Sequence, residues 1–449
     1  MPYVTLDAGA LLFKRPTINP LQEEQEKMTA AAIVEGYNLI GYNAVCVGSQ
    51  DLIAGLPYLQ ALSKKAKFAW LSANLVKKKT NKPIFKRSIS LKAGRVRIGV
   101  IGLTGPAILS VADDAIVQPW DQVLPPLLAK VTKRDDLIIL LSNLPAADNQ
   151  RIAETFSSIH LIVQSGATAG VISPEPVNNT VIVSSAPQGK QLGIMKINWQ
   201  PSKRWGDQKA EVLAKKKASQ KQLLWQLSKY QQDKDPETAL RNRPDQLTAY
   251  RILLAREQKL RGEIDQLAKE IAKTPRKGEP SAYSNRFIDM ETTLPDQPEV
   301  ARVMNRLKAA INELGQRKAA STSPTDSPYL GFRACGKCHE RQLAAWLQTR
   351  HAKAYTTLEQ KKQQFNQNCL PCHVTGVPLA QAAEALSLQE DRRRVGCETC
   401  HGPGRRHREN PKANIMIKKP GSGVCQACHR EPNDDNFDYD KEIKMVDHK

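Results

Sequence analysis

Before residue 330 this chain has a single cysteine, Cys46; the other eight all lie beyond it. A disulfide framework is therefore excluded from most of the length, because a bridge needs two thiols. Histidine is nearly as scarce, with eight residues in 449, and aromatic residues make up only 5%. The formal charge is +21, yet the Lys and Arg are spread along polar helical stretches with no aromatic residues interleaved. A nucleic-acid surface combines a basic track with stacking rings, so no nucleic acid is expected as a partner. No apolar run approaches the roughly 20 residues that a membrane-spanning helix requires.

What is present is concentrated near the end of the chain. The pattern Cys-x-x-Cys-His occurs four times: Cys335, Cys338, His339; Cys369, Cys372, His373; Cys397, Cys400, His401; and Cys425, Cys428, His429. Two thiols at that spacing sit on one face of a helical turn and can add to the two vinyl groups of one haem. The following His then points at the iron from the proximal side. Eight thiols could instead make two four-thiolate zinc sites, but zinc gives no reason for a His after every pair. The expectation is four haem c groups, with iron held on the proximal side by His339, His373, His401 and His429.

Four histidines remain. His351 follows the first motif by one short helix, and His407 follows Gly402-Pro403-Gly404, which would turn the chain sharply. His448 is the penultimate residue. These three are the candidate distal ligands. His160 stands in the apolar run Ile159–Val163 and reads as a core residue. Three distal His for four haems leaves one iron either open or capped by Met416, Met445 or a Lys.

From Tyr329 onward the chain resembles the cytochrome c-554 family of tetrahaem electron carriers. The matching residues are Tyr329-Leu330-Gly331, the first motif, Trp346, and His351-Ala352-Lys353-Ala354-Tyr355. They continue with Cys372-His373-Val374-Thr375-Gly376, the third motif with Gly402-Pro403-Gly404, and Phe437-Asp438-Tyr439. The resemblance implies closely packed, mostly bis-His haems on a small helical scaffold. It also implies one five-coordinate haem, by analogy at His373.

Haem attachment takes place outside the bacterial cytoplasm, so the protein is expected to be periplasmic or extracellular. The opening Met1-Pro2-Tyr3-Val4-Thr5-Leu6-Asp7 has no basic region followed by an apolar segment and reads as a strand under way. An export signal and a first strand are expected upstream, which leaves membrane or cell-surface association through such a signal open. Eight haem propionates would take the formal charge from +21 to about +13. That balance suits acidic redox proteins as donor and acceptor.

Residues 1–200 alternate strand-like runs (44–47, 97–101, 137–141, 160–163, 181–183) with helical stretches (24–37, 55–64, 148–156), the pattern of a layered α/β domain. In order, Asp7-Ala8-Gly9, Val47–Leu52, Leu71–Leu75, Arg97–Thr104, Leu141–Asn143 and Gly166–Gly170 resemble the metallophosphatase domain of the 5′-nucleotidase family. That resemblance implies two metals held by Asp, Asn and His. At the corresponding positions stand Ala10, Ser49, Gln50, Asn143, Ala167 and Ala169, with Asp7 and Asp51 left beside them. Alanine offers no donor atom, and two carboxylates cannot replace the imidazoles a dinuclear centre needs. The reading is a phosphatase fold without phosphatase chemistry, kept for docking or spacing.

Residues 201–320 carry heptad-spaced apolar residues at Leu253, Leu260, Ile264, Leu267 and Ile271. A preceding helix runs through Val212–Leu227 and a third through Val300, Val303, Leu307, Ile311 and Leu314. A helical hairpin or three-helix coiled-coil arm is expected, followed by a linker at 321–328 and the mainly α multihaem domain at 329–449. The leading function is electron transfer. The alternatives are a haem enzyme acting on a small nitrogen compound at an open iron, a nucleotidase with an attached cytochrome, and a homo-oligomer or haem-lined filament in which His448 is donated between neighbours.

Overall fold

The computed structural model describes residues 2–107, 114–166, 172–186, 189–200, 202–205, 208–228, 230, 236–241, 244–273, 280–291, 293–321, 327–377, 386, 388–430, 434 and 437–447. The front of the chain runs β1 (Leu6–Asp7), α1 (Glu23–Ile40), β2 (Ala44–Cys46), α2 (Leu56–Ser63), β3 (Ala69–Leu71), β4 (Leu75–Lys77), β5 (Ser88–Ala93) and β6 (Val96–Leu103). It continues through β7 (Ala115–Val117), α3 (Trp120–Arg134), β8 (Leu137–Ser142), α4 (Ala146–Thr155), β9 (Leu161–Gln164), β10 (Ile172–Val177) and β11 (Thr180–Ser184). The strands and helices read from the sequence of residues 1–200 coincide with β2, β6, β8, β9, β11, α1, α2 and α4.

Strands β1, β2 and β3 form one parallel sheet. A second sheet has the order β10-β11-β9-β8-β6-β5, with its four inner strands parallel and both edges antiparallel. Strand β8 shows why the layers stack. Leu137, Ile139 and Leu141 join Ala44, Cys46 and Leu71 in a core between the two sheets. The alternate residues Ile138 and Leu140 join Val123, Leu124, Leu128 and Ile152 beneath α3 and α4. A continuous apolar strand presents oil on both faces and needs cover on both. A third core, around Ala30, Val34, Val45, Leu59 and Trp70, seals the first sheet under α1 and α2. Helix α1 opens with Glu23, Glu24 and Glu26 at the positive end of its dipole and stops at Gly41, where φ is +85°.

The stretch expected to be a helical arm departs from that reading. It contains β12 (Gln191–Asn198), α5 (Gln208–Ser228), α6 (Pro236–Ala239), α7 (Pro244–Lys273), β13 (Ala282–Asp289) and α8 (Pro298–Ser321). Helices α5 and α7 are antiparallel, with Lys216 paired to Glu263, Gln220 hydrogen-bonded to Glu257 at 2.8 Å, and Leu227 buried. The chain then returns: β13 pairs with β12 along its whole length, Gln191 opposite Asp289 and Asn198 opposite Ala282. Tyr283 on β13 stacks edge-on against Trp205, 5.2 Å between ring centres, and both join the core between the sheets. Helix α8 is not a third member of the arm. It lies on α1, where Arg306 meets Glu35 at 2.6 Å and Lys318 meets Glu24 at 3.4 Å.

The remaining chain is built of short helices: α9 (Phe332–Gly336), α10 (Glu340–Leu347), α11 (Ala354–Gln360), α12 (Leu370–His373), α13 (Cys397–His401), α14 (Arg405–Glu409), α15 (Ser422–Gln426) and α16 (Tyr439–Glu442). Among the described residues, no helix is long and apolar enough to cross a membrane. Residues 322–326 of the expected linker lie outside the described residues.

Candidate haem sites

Each Cys-x-x-Cys-His segment closes into one helical turn. The N–H of His339 donates to Cys335 O at 3.1 Å, and that of His429 to Cys425 O at 2.9 Å. In the second motif Cys372 N–H donates to Cys369 O at 3.3 Å, and the third motif is helix α13 itself. The turn brings both thiols of a motif to one side and leaves the His at its end.

The histidine rings then pair across the fold. His407 on α14 faces His339, with ring centres 6.3 Å apart and planes 24° from parallel. His351 faces His429, with ring centres 5.9 Å apart. An imidazole nitrogen about 2 Å from a metal ion on each side puts the two ring centres roughly 6 Å apart. Both pairs therefore fit an iron between them. Of the remaining expected ligands, His448 lies outside the described residues, Met445 is exposed and Met416 is half-buried.

Hydrogen bonds at the far nitrogen fix which ring atom is free. Nδ1 of His373 lies 2.7 Å from Ala354 O, and Nδ1 of His407 lies 2.8 Å from Asn414 O; Nδ1 of His401 is bonded to Ile417 O. A carbonyl only accepts, so each Nδ1 carries the proton and Nε2 keeps its lone pair for a metal. Nδ1 of His429 meets a carboxylate instead, Asp434 Oδ2 at 2.8 Å. With His351 opposite His429 and His407 opposite His339, the described histidines that remain outside the front domain are the proximal His373 and His401. His160 is 4% exposed in the front core, and its Nδ1 accepts the N–H of Ile138 at 2.9 Å; burial pushes its pKa down to about 4.

Further residues hold this arrangement. Cys397 packs against the cluster of Phe332, Trp346 and Ala352, so the third motif abuts the helices around the first. Glu398, between the two cysteines of the third motif, is 2% exposed. Its carboxylate accepts N–H bonds from Leu330 at 2.9 Å, Gly331 at 2.7 Å and Gly404 at 2.7 Å, tying the entry of the domain to the turn before His407. Thr375 Oγ1 donates to Arg394 O at 2.6 Å and accepts the N–H of Gly396 at 2.9 Å, joining the second motif to the third. Gly376 has φ +74°, and a Cβ there would lie 2.5 Å from the Tyr329 ring, so no other residue fits. Sequence reasoning quoted these residues only as points of likeness.

In the front domain the residues left from a metallophosphatase-like site are bonded to one another. Asp51 is fully buried, and its carboxylate accepts four N–H groups: Gly48 at 2.8 Å, Ala10 at 3.0 Å, Leu11 at 2.9 Å and Leu12 at 2.8 Å. Burial pushes its carboxyl up to about 6 against the pull of those donors. Asp7 accepts Gly9 N–H and Tyr37 O–H, both at 2.8 Å, and burial raises its pKa as well. Asn143 Oδ1 accepts the N–H of Ser49 at 2.8 Å, and its Nδ2 donates to Ser165 at 2.9 Å. Ala167 and Ala169 lie outside the described residues.

Residues 334–402, which span the first three motifs, match the family model described as Cytochrome c554 and c-prime. Cytochrome c-554 of Nitrosomonas europaea is 32% identical over 137 residues, 23% of this chain and 58% of that protein. Protein UshA of Salmonella pullorum is 38% identical over 96 residues, 21% of this chain and 18% of that protein. Among solved structures, the sulfate thiohydrolase SoxB of Thermus thermophilus aligns with a TM-score of 0.39 and 19% identity, covering 44% of this chain and 36% of that one. The chain thus spans just over half of one curated relative and under a fifth of the other. Its C-terminal region is similar to the cytochrome c554 family and its N-terminal part to UshA-type proteins.

Proposed function

We propose that this chain is an exported c-type cytochrome that carries electrons through four covalently attached haems, and that its front domain no longer performs metallophosphatase chemistry. The observation that carries the first half is the pairing of His339 with His407 and His351 with His429 at separations that suit an iron between two imidazoles. The haems supply reversible one-electron chemistry. The chain's part is to attach them, to hold each imidazole with Nε2 forward, and to set the charge around them. The packing of the third motif against the helices around the first supports haem edges close enough to exchange electrons. The second half is supported by Asp51, whose acceptor capacity is spent on four backbone N–H groups rather than left for a cation.

Thioether formation outside the cytoplasm supports a periplasmic or extracellular location, and the basic balance supports acidic redox proteins as donor and acceptor. A pyridine haemochrome count with low-temperature electron paramagnetic resonance tests the reading: four haems, with the irons at His339 and His429 low-spin. Fewer than four haems, or zinc between the thiols, overturns it. Release of phosphate from a nucleotide with added divalent metal overturns the inactive front site.

One observation favours a second reading. His373 has no described histidine opposite it, and an iron held by one imidazole can bind a small ligand. On that reading the second haem is a catalytic centre for a small nitrogen compound. A ferrous spectrum that shifts with carbon monoxide, together with turnover of nitric oxide or hydroxylamine, would establish it; a ligand-insensitive spectrum would remove it.

A further inference from the structure

Among the described residues, α1 of the front domain and α8 meet the haem region along a strip that leads directly into the second motif. Gln25 in α1 is 1% exposed and holds the incoming segment by both ends of its amide. Its Nε2 donates to Asn366 Oδ1 at 2.9 Å, and its Oε1 accepts the N–H of Gln367 at 3.1 Å. Beside it, Glu26 accepts Asn368 Nδ2 at 2.9 Å. From the other flank, Asn312 of α8 donates to Lys362 O at 2.7 Å and accepts the N–H of Phe365 at 3.4 Å. A Cβ at Gly315 would fall 2.4 Å from the Phe365 Cβ, so α8 lies directly against this segment. Cys369, the first thiol of the second motif, is the next residue after Asn368.

We propose that α1 of the front domain, together with α8, is a wall of the second haem site: Gln25 and Asn312 position the segment that leads into Cys369 and so set how the haem attached there is held. This rests on the reading that Cys369, Cys372 and His373 hold a haem. The potential of a haem follows the way its macrocycle and its axial imidazole are held, so a change at Gln25 should reach one iron and not the others.

The test is a spectroelectrochemical titration of the full-length, haem-loaded protein. Gln25→Leu, which removes both amide bonds at similar size, is expected to move one one-electron step and the paramagnetic signal of the same iron, leaving the other three in place. Asn312→Leu should move the same step. Lys133→Glu, an exposed charge at the end of α3, should move nothing. The proposal is overturned if Gln25→Leu and Asn312→Leu leave every step in place or shift all four equally. Mass spectrometry of the peptide bearing Cys369 and Cys372 keeps the two readings apart. No haem on that peptide overturns the underlying assignment, whereas a loaded peptide with unmoved potentials overturns the wall alone.

Discussion

Replacing Asp51 removes the acceptor of four N–H groups at once. With Ala in its place, Gly48, Ala10, Leu11 and Leu12 lose a partner that is itself 0% exposed, and the donors of Gly48 and Leu12 are buried with it. Each unpaired buried donor costs about 1–3 kcal/mol, but a water entering the vacated space would satisfy some of them. The net loss is therefore expected at about 3–5 kcal/mol, a large share of a domain's stability. Asp51→Asn should cost less, about 2–3 kcal/mol, because one amide oxygen still accepts while the NH₂ confronts two donors. Urea unfolding followed by tryptophan fluorescence reads the change, with the haem absorbance recorded in parallel to separate the two regions. The pH dependence has a definite sign. The folded carboxyl is raised from 3.8 to about 6, so the native chain keeps a proton that the unfolded chain has released between those values. Its contribution is complete below about pH 4 and is lost as pH rises through about 6, amounting to about 3 kcal/mol. Asp51→Asn should flatten that slope. A loss under about 1 kcal/mol for Asp51→Ala, or a stabilisation of the wild type by manganese that the variant lacks, would refute the view of Asp51 as a structural anchor.

Other outcomes follow from the same geometry. His407→Ala should convert the iron at His339 from low to high spin, losing one low-spin paramagnetic signal and leaving that of the His351–His429 pair; retention of all signals would refute the pairing. Glu398→Ala strands three N–H groups and should lower the unfolding free energy of the haem region by about 2–4 kcal/mol with haem attachment unchanged; an unaltered urea midpoint refutes its role as a tie. Leu140→Ala empties a fully buried position beneath α3 and α4 and should cost about 2–5 kcal/mol in urea unfolding; a loss below about 1 kcal/mol would mean the layer is loosely packed.

The four motifs are legible in the sequence because covalent chemistry fixes their spacing to within a residue. Which histidine faces which is not, since His407 reaches His339 and His351 reaches His429 only after several turns have folded back. Strand β8 announces itself through an unbroken apolar run, and β13 does not. Only Tyr283, Phe287 and Ile288 of its eight residues are large and apolar, and its partner strand ends 84 residues earlier, at Asn198. The stripe on α8 was visible at heptad spacing, but a stripe states only that a helix is covered, never by what. Here the cover is α1 and the segment around Phe365. Asp51 reads in sequence as a leftover beside a lost metal site. The four backbone donors that occupy it come from two loops, and backbone donors leave no trace in residue identity.

The α5–α7 hairpin leaves and rejoins the body at one point. Trp205 bridges to Ser281, and the N–H of Ser281 donates to Arg204 O at 2.7 Å. A loop whose two feet touch can grow, shrink or be excised without pulling on what lies beneath it. The hairpin is thus a handle on the molecule: a short Gly-containing turn from 205 to 281 should leave the sandwich and the porphyrin-bearing end intact, and a tag or tether could be mounted there in its place.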